Sequence, residues 1–586
     1  MKKINPIANM FQTEWKHLGS RKKTFILYTS FFVIAGIIEL MIPLLMGLIF
    51  NKVQDQITSE AELISLIKTI FLLLAITFSF WIFHGTARVL EEKTGFFVHR
   101  SYVNSKIERV LELPIKWHKD HHSGSTIDKI NRGGSAIESF SRRITFDSFY
   151  AVTSLIGAVI ILFFFDVRAA ILALIFSFLT IYFIYKIDLK LNKQYAEINN
   201  YGNKASAKIF DYISNVITVI TLRLKPTVKK EIDNSVMASY KVEKKNVVLN
   251  EIKWGFASVA ISLMTVIVLS LKAYSDYHID GIIKIGTLYI LYGYLSAVGN
   301  TFFRFAALYG SIVQYSSQIE NARTIDDEFD KVKVESIENI PKDWHEVAIK
   351  NVSFNHDKKQ ARLHLENINI NFRKGQKIAF MGASGSGKST MLALLRGLIK
   401  PESGAVFVDG NMTESGFDKI KHTITLIPQD PEIFNNTIEY NITMDLPTEK
   451  SDFNKAVKMA QFKDVVKRLP AGLETNVLEK GVSLSGGEKQ RLALARGLLA
   501  AKNSEIVLMD EPTSSIDTLN EIKIYDSIFE EFKSKTIISA LHKLHLLKRF
   551  DYIYIFDKGR IIAQGTFAEI KNNSVFRDIW EKYNSK

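Results

Sequence analysis

The chain has 586 residues, 47% of them apolar and 40 of them Phe, and it contains no cysteine. That length exceeds what one hydrophobic core organises, and the lack of cysteine excludes disulfides, Cys-ligated metals and thiol nucleophiles. Of the net charge of +14, residues 1–325 hold +13 (37 Lys and Arg against 24 Asp and Glu), so the basic excess accompanies the apolar part of the chain. This is the signature of a positive-inside membrane bias; a nucleic-acid binder would carry its basic patch on a soluble domain.

Residues 1–20 are polar, hold Phe11 and Trp15, and show no cleavable signal peptide. They predict a short helix in the membrane interface, and the flanking Lys2, Lys3, Arg21, Lys22 and Lys23 mark that side as cytoplasmic. Six apolar segments follow, roughly Thr24–Phe50, Leu63–Phe83, Phe146–Phe165, Arg168–Ile187, Phe256–Lys272 and Thr287–Ala307. Each is close to the ~20 residues that a membrane span requires. Connections after the first, third and fifth are short. Those after the second and fourth run to roughly sixty to seventy residues, are rich in Lys and Arg, and lack linker composition. They predict helices that continue beyond the bilayer on the cytoplasmic side.

Four ionisable residues fall in or near these segments: Glu39, His84, Arg88 and Arg304. Charge inside a membrane is expensive and usually faces a cavity or a partner. Glu39 and Arg304 either line a substrate path or neutralise each other across helices, whereas His84 and Arg88 read as structural or snorkelling. His118, His121 and His122 share a helix face, but spacing fixes no further ligand, and the cluster reads as a polar contact surface rather than a metal site.

Residues 1–325 are expected to form the membrane domain, 326–346 an acidic linker holding Pro341, and 347–586 a soluble α/β domain. Strand-like runs occur at Val347–Phe354, Ile368–Phe372, Lys377–Met381, Ala405–Asp409, Thr423–Ile427, Ile506–Met509 and Thr536–Ser539, mostly alternating with helical patterns. This alternation predicts a largely parallel sheet with helices on its faces.

Between the third run and the next helix stands Gly382-Ala-Ser384-Gly385-Ser386-Gly387-Lys388-Ser389-Thr390, a G-x-x-x-x-G-K-[ST] loop in the strand–loop–helix context that the motif requires. Glycines let several backbone N–H groups converge on a phosphate chain, and the helix N-terminus adds positive potential. Lys388 is placed to reach the β- and γ-phosphates and Ser389 to ligate Mg²⁺. The run Ile506–Glu511 is a buried strand ending in two carboxylates: Asp510 is a candidate Mg²⁺ ligand, and Glu511 a candidate general base. Gln429 has a side chain able to reach Mg²⁺ or the attacking water. Ser485, Gly486 and Gly487 precede a further helix and offer a second phosphate-binding N-terminus. Asp517 closes a polar turn after the carboxylate pair, and His542 follows a strand from which it could contact the γ-phosphate.

Taken together and in this order, these motifs resemble those of ATP-binding cassette exporters, specifically half-transporters with the membrane domain first. The resemblance spans essentially the whole chain. GASGSGKST at Gly382–Thr390 matches Walker A, IPQD around Gln429 the Q-loop, LSGGE at Leu484–Glu488 the signature, IVLMDE at Ile506–Glu511 Walker B, SSID at Ser514–Asp517 the D-loop, and His542 the H-loop. Thr475–Gly481 resembles the loop exporters carry before the signature, the region from Leu113 the first coupling region, and the helix near Ile209–Leu222 the second. Two departures stand out. His356 occupies the position where the family usually stacks Tyr on adenine, with Phe354 the fallback though directed into the sheet. Glu488 replaces the common signature Gln, with little effect expected.

The resemblance implies six transmembrane helices with long cytoplasmic extensions, followed by an α/β P-loop ATPase domain using ATP and Mg²⁺. It further implies ATP-driven export of a lipid, hydrophobic drug or peptide across the cytoplasmic membrane by alternating access, with the ATPase domain in the cytoplasm. The intact motif set favours a second copy of the same chain as partner, with membrane lipids around it and no nucleic acid. An ATP-gated channel or regulator built on the same cassettes and a heterodimeric exporter subunit are the alternatives.

Overall fold

The computed structural model describes residues 5–332, 340–355, 364–413, 416–477, 484–572 and 576. The chain divides into two compact units, one of Met1–Leu113 with Trp117–Val332, the other of Lys333–Lys586 with Pro114–Lys116.

The first part is helical throughout: α1 Pro6–His17, α2 Lys22–Glu39, α3 Met41–Gln54, α4 Glu60–Leu111, α5 Ile115–Asp120, α6 Ser123–Ser139, α7 Thr145–Phe165, α8 Val167–Ser214, α9 Val216–Thr221, α10 Lys225–Met237, α11 Tyr240–Asp280 and α12 Ile285–Phe329. The 52 residues of α4 extend about 75 Å at 1.5 Å per residue, far more than the ~30 Å of a hydrocarbon core. The long connections are therefore helical continuations, as their composition predicts.

Local chemistry sets the boundaries. Ser59 starts α4 with a capping box, its N–H donating to Glu62 Oε2 at 3.1 Å and its Oγ accepting from Glu62 N at 3.3 Å. Asp166 alone connects α7 to α8, its carboxylate accepting from Arg168 N at 2.8 Å and Ala169 N at 3.1 Å. Gly281, at φ +70°, ends α11 in the left-handed conformation glycine adopts freely. The helix expected near Ile209–Leu222 is instead broken at Asn215, between α8 and α9.

Among the described residues, five helical stretches are long and apolar enough to cross a membrane: Gly19–Gln54, Glu60–Leu111, Ser123–Phe165, Val167–Ser214 and Lys225–Ile279. The sixth predicted segment is helical, within α12, but is not one of these. Tyr289, Tyr292, Tyr294 and Asn300 lower its mean hydropathy. Large apolar side chains such as Phe78, Phe164 and Phe178 lie exposed on α4, α7 and α8, as a lipid-facing surface requires. The helices pack through clusters such as Met10, Tyr28, Phe32, Tyr102, Phe140 and Leu308. Asp188 and Lys253, their side chains each 2% exposed and 3.1 Å apart, tie α8 to α11.

Arg88 pairs with Glu91 and with Glu92 (3.0 Å) and donates to Arg142 O at 2.7 Å. His84 stacks on Phe80, with ring centroids 4.9 Å apart. Both side chains are thus engaged by neighbouring groups of the helical part. Glu39 and Arg304 do not pair with each other: Glu39 accepts from the Tyr150 hydroxyl, while Arg304 lies 4.6 Å over the Tyr150 ring and 3.9 Å from Asp147. His121 stacks on Trp117 at 4.3 Å, and no cluster of His, Cys, Asp and Glu suited to a metal occurs among the described residues.

In the second unit the strands are β1 Glu346–Phe354, β2 Leu365–Arg373, β3 Lys377–Gly382, β4 Ser403–Val408, β5 Asn411–Met412, β6 Ile424–Ile427, β7 Asn436–Thr437, β8 Asn476–Val477, β9 Ile506–Asp510, β10 Thr536–Leu541, β11 Tyr552–Asp557 and β12 Arg560–Gly565. The helices are α13 Lys388–Leu395, α14 Asp418–Lys421, α15 Ile438–Thr443, α16 Lys450–Met459, α17 Lys463–Arg468, α18 Gly486–Ala500, α19 Thr518–Glu531 and α20 Phe567–Ile570. All seven expected strands are present. A six-stranded sheet runs β12-β11-β3-β10-β9-β6, parallel except for β12. The expectation of one largely parallel sheet needs correction, because β2-β1-β4-β5 form a separate antiparallel sheet.

Period-two alternation explains how the large sheet is held. Ala379, Met381, Val507 and Met509 bury one face against α18 and α19; Ile378, Phe380, Leu508 and Ile538 bury the other against α13 and the small sheet. With both faces covered, functional side chains emerge at the strand ends.

Candidate functional site

Four adjacent parallel strands, β3, β10, β9 and β6, end on one edge of the sheet. In register, Met381 lies beside Leu541, Ala540 beside Asp510, and Met509 beside Ile427. The residues that follow these strand ends are the Gly382 loop, His542, Glu511 and, after Pro428, Gln429. Sequence positions more than a hundred residues apart thus converge.

The loop after β3 depends on two glycines. Gly382 has φ +155°, and a Cβ there would lie 2.3 Å from Phe556 O. Gly387 has φ +110°, and a Cβ would lie 2.6 Å from Leu365 Cδ2. Between them the chain folds tightly, with Ser386 N donating to Ala383 O at 3.1 Å and Gly559 N donating to Ser386 O at 3.0 Å. Lys388, at the start of α13, turns back to donate to Gly382 O at 2.8 Å and Ala383 O at 3.2 Å. Ser386 Oγ is buried without a hydrogen-bond partner among the described residues. A cradle of backbone N–H groups, a buried ammonium and an unpartnered hydroxyl fits a polyphosphate. Gly385 and Ser384 form the tip of the loop, and Thr390 belongs to the first turn of α13.

The two carboxylates have different partners. Asp510 Oδ1 accepts from Ser389 Oγ at 2.9 Å. This pair of hard oxygens fits Mg²⁺. Gln429, the third expected metal ligand, instead donates to Glu511 Oε2 at 3.2 Å. Glu511 Oε1 lies 2.6 Å from His542 Nε2 and 3.7 Å from Lys388 Nζ. Glu511 itself sits at φ +48°, a strained conformation for a non-glycine residue, steadied by its N–H donating to Ala540 O at 3.3 Å.

Burial dominates the electrostatics. It pushes the Asp510 carboxyl above its ordinary value, opposed by the Ser389 hydrogen bond. It pushes Lys388 below the usual lysine range, opposed by Glu511 and Asp510. His542 is pushed down by burial and by the Lys388 charge.

The Ser485–Gly487 segment starts α18. Ser485 N donates to Glu488 Oε2 at 2.9 Å, and Glu488 also pairs with Arg468. Glu488 therefore serves as the capping-box acid of this helix. Among the described residues no hydrogen bond joins Ser485–Gly487 to the Gly382–Thr390 loop of the same chain. Asp517 caps α19, accepting from Asn520 N at 3.0 Å. His356 lies outside the described residues, as does most of the Thr475–Gly481 segment; Phe354 is buried in the core around the small sheet.

Two features went unread in the sequence. Gln490, 5% exposed, donates to Ser514 Oγ at 2.6 Å and accepts from Ser515 N at 2.8 Å, joining α18 to the Ser514–Asp517 turn. Glu521, 2% exposed, accepts from Thr513 Oγ1 at 2.6 Å and lies 3.2 Å from both Lys543 and His545, joining that turn to the segment after β10.

Comparison with known proteins supplies independent information. The family model described as ABC transporter matches residues 365–514, and the model described as ABC transporter transmembrane region matches residues 25–302. An ATM1-type heavy metal exporter of Novosphingobium aromaticivorans is 27% identical over 516 residues, covering 86% of this chain and 83% of the relative. The glutathione/L-cysteine transport system ATP-binding/permease protein CydD of Bacillus subtilis is 36% identical over 225 residues, spanning only 38% of each chain. Among solved structures, a bacterial Atm1-family ABC exporter with ATP bound has the same fold, with a TM-score of 0.85 at 23% identity over 96% of this chain and 99% of the other.

Proposed function

The chain belongs to the ABC transporter family, as a multi-pass membrane protein whose ATPase domain is coupled to transmembrane movement of a substrate, and from that premise we propose that it is an ATP-driven exporter working as a pair of identical chains. Residues 1–325 form the membrane domain with six spans, 326–346 the linker and 347–586 the nucleotide-binding domain, on the cytoplasmic side of the cytoplasmic membrane. The sixth span is the part of α12 covering Thr287–Ala307.

The observation that carries this reading is the ring of groups around Glu511: Lys388, Gln429 and His542 each approach its carboxylate within 3.7 Å. In the proposed chemistry ATP occupies the Gly382–Thr390 loop, with Lys388 and the α13 N-terminus holding the β- and γ-phosphate oxygens. Glu511 takes a proton from water as the water oxygen bonds to the γ-phosphorus, and the bond from that phosphorus to the β-bridging oxygen breaks to release ADP. His542 and Gln429 orient Glu511 and the γ-phosphate. Ser389 and Asp510, with Gln429 moved towards the nucleotide, would hold Mg²⁺, which when bound neutralises charge on the phosphate oxygens.

Among the described residues Ser485–Gly487 makes no hydrogen bond to the loop of its own chain, which supports a composite site in which it closes over ATP held by the second copy. Binding energy then closes the pair, and hydrolysis reopens it by replacing one anion with two that repel. Asp517 lies at the same junction. The substrate is a lipid, hydrophobic drug or peptide.

The test uses inside-out proteoliposomes loaded with ATP outside and offered a cationic dye, a fluorescent short-chain lipid and a labelled peptide. Vanadate-sensitive, ATP-dependent accumulation of one of them is expected. Ion conductance on ATP addition without accumulation of any would replace the exporter with an ATP-gated channel.

A further inference from the structure

The first apolar segment is a helix interrupted at one residue, Leu40, whose backbone stays right-handed at φ −62° and ψ −15°. α2 stops at Glu39, α3 begins at Met41, and Pro43 lies in its first turn. Proline has no N–H to offer the Glu39 carbonyl four residues back. The next carbonyl, Leu40 O, is taken by the Tyr294 hydroxyl at 2.5 Å. Interrupted backbone at membrane depth persists only where protein or a cavity satisfies it. Here it borders a cavity of about 190 Å³ whose lining includes Glu39, Leu40, Ile42, Pro43, Tyr150 and Ala297.

The charge of this cavity is one-sided. Among the described residues Glu39 is the sole carboxylate lining it, and no lysine, arginine or histidine does. Its Oε2 accepts from Tyr150, and its Oε1 has no hydrogen-bond partner among the described residues. Arg304, outside the lining, is 3.9 Å from Asp147 and stands against the Tyr150 ring, and His84 of α4 interacts electrostatically with Glu39. Asp147 faces Arg143 and Arg88 as well as Arg304, and the charge on the cavity lining itself is that of Glu39. Aliphatic walls from Leu40, Ile42 and Pro43 complete the site.

We propose that this cavity binds a small organic cation, an ammonium or guanidinium whose charge meets Glu39 and whose apolar body meets Leu40, Ile42 and Pro43. Its volume is below the ~300 Å³ lower end of drug-sized sites. That admits a compact cation or the cationic head of a larger amphiphile, and an anion of the same size is rejected by Glu39. The inference names a substrate class for the transport reading and rests on that reading for the cation's being moved, though not for its being bound.

Binding is measured by equilibrium dialysis of the full chain in lipid nanodiscs without nucleotide, using radiolabelled benzyltrimethylammonium. Saturable binding is expected, displaced by the unlabelled cation and not by benzenesulfonate. Glu39→Gln lowers affinity at least about tenfold, and Glu39→Asp, which keeps the charge, stays within about threefold. Ala297→Phe keeps Glu39 but fills the cavity, and abolishes binding; it decides the matter even if Glu39→Gln fails to fold. Absence of saturable cation binding to the wild type, equal displacement by benzenesulfonate, or unchanged affinity in Ala297→Phe overturns the proposal. The two readings fail separately: cation binding without ATP-driven accumulation overturns only the exporter, and accumulation of other probes without cation binding overturns only this site.

Discussion

His542 Nε2 lies 2.6 Å from Glu511 Oε1, on the end of the strand next to the one that delivers the carboxylate. The imidazole therefore fixes the direction of Glu511 before any nucleotide enters. His542→Ala should lower kcat for ATP by roughly 10²–10³, within the range that general acid–base groups contribute, while ATP affinity stays within about threefold. Steady-state hydrolysis alongside a nucleotide-binding titration separates the two. Unaltered kcat would remove His542 from the site.

Gln490 bridges α18 to the Ser514–Asp517 turn through two hydrogen bonds. Gln490→Ala removes both bonds from Ser514 and Ser515, which are exposed and can turn to water, so each lost bond costs about 0.5–1.5 kcal/mol. Hydrolysis should fall about tenfold with ATP affinity little changed, since the Gly382–Thr390 loop is untouched. Equal losses in both would instead indicate general unfolding, which a thermal melt would reveal.

The two glycines nearest the tip of the phosphate loop should differ in tolerance. Gly387→Ala meets both a positive φ of +110° and a contact at 2.6 Å to Leu365 Cδ2, whereas Gly385→Ala meets a φ of +76° and open space. Left-handed backbone costs a Cβ-bearing residue about 1–2 kcal/mol, and the clash adds to that in Gly387→Ala alone. ATP affinity, read by titration, should drop at least tenfold for Gly387→Ala and clearly less for Gly385→Ala.

Glu14 on α1 is 1% exposed, its Oε1 accepts from the Thr145 hydroxyl at 3.5 Å, and Oε2 has no partner among the described residues. Burial raises its pKa from 4.5 to about 7. Between these values the folded state holds a proton that the unfolded state has lost, so the stability linked to this group is complete below about pH 4.5 and is lost as pH rises through 7. The full difference is about 3 kcal/mol at 1.36 kcal/mol per pH unit. Thermal melts at pH 5 and pH 8 should show Glu14→Gln gaining on the wild type at the higher pH. A gap independent of pH would mean that Glu14 is ionised throughout.

Much of the nucleotide site was legible because its residues sit in short, ordered motifs whose strand or helix context is also local. Lys388, Asp510 and Glu511 are examples. The Gln490–Ser514 link was not legible, since a glutamine inside a helix shows no sign of which distant turn it will meet. The same holds for Glu39, whose partner Tyr150 is 111 residues away. The seven apolar runs were recognisable as strands, but alternation does not specify a partner, so the division into two sheets was hidden. β11 and β12 were missed although a signal existed: Lys558 and Gly559, at φ +47° and +84°, form the paired left-handed turn that joins a tight hairpin. In the membrane part, apolar length located the helices, whereas the break at Glu39–Met41 depended on Pro43 and on a tyrosine supplied by α12.

Glu511→Gln tests most directly the proposal that Glu511 activates water at a site closed by two chains. The variant in nanodiscs is incubated with Mg²⁺ and α-labelled ATP, passed through a desalting column, and assayed for retained nucleotide and for turnover. The prediction is about one ATP retained per chain and hydrolysis reduced at least 10²-fold. Hydrolysis at the wild-type rate, with no nucleotide retained, would contradict it.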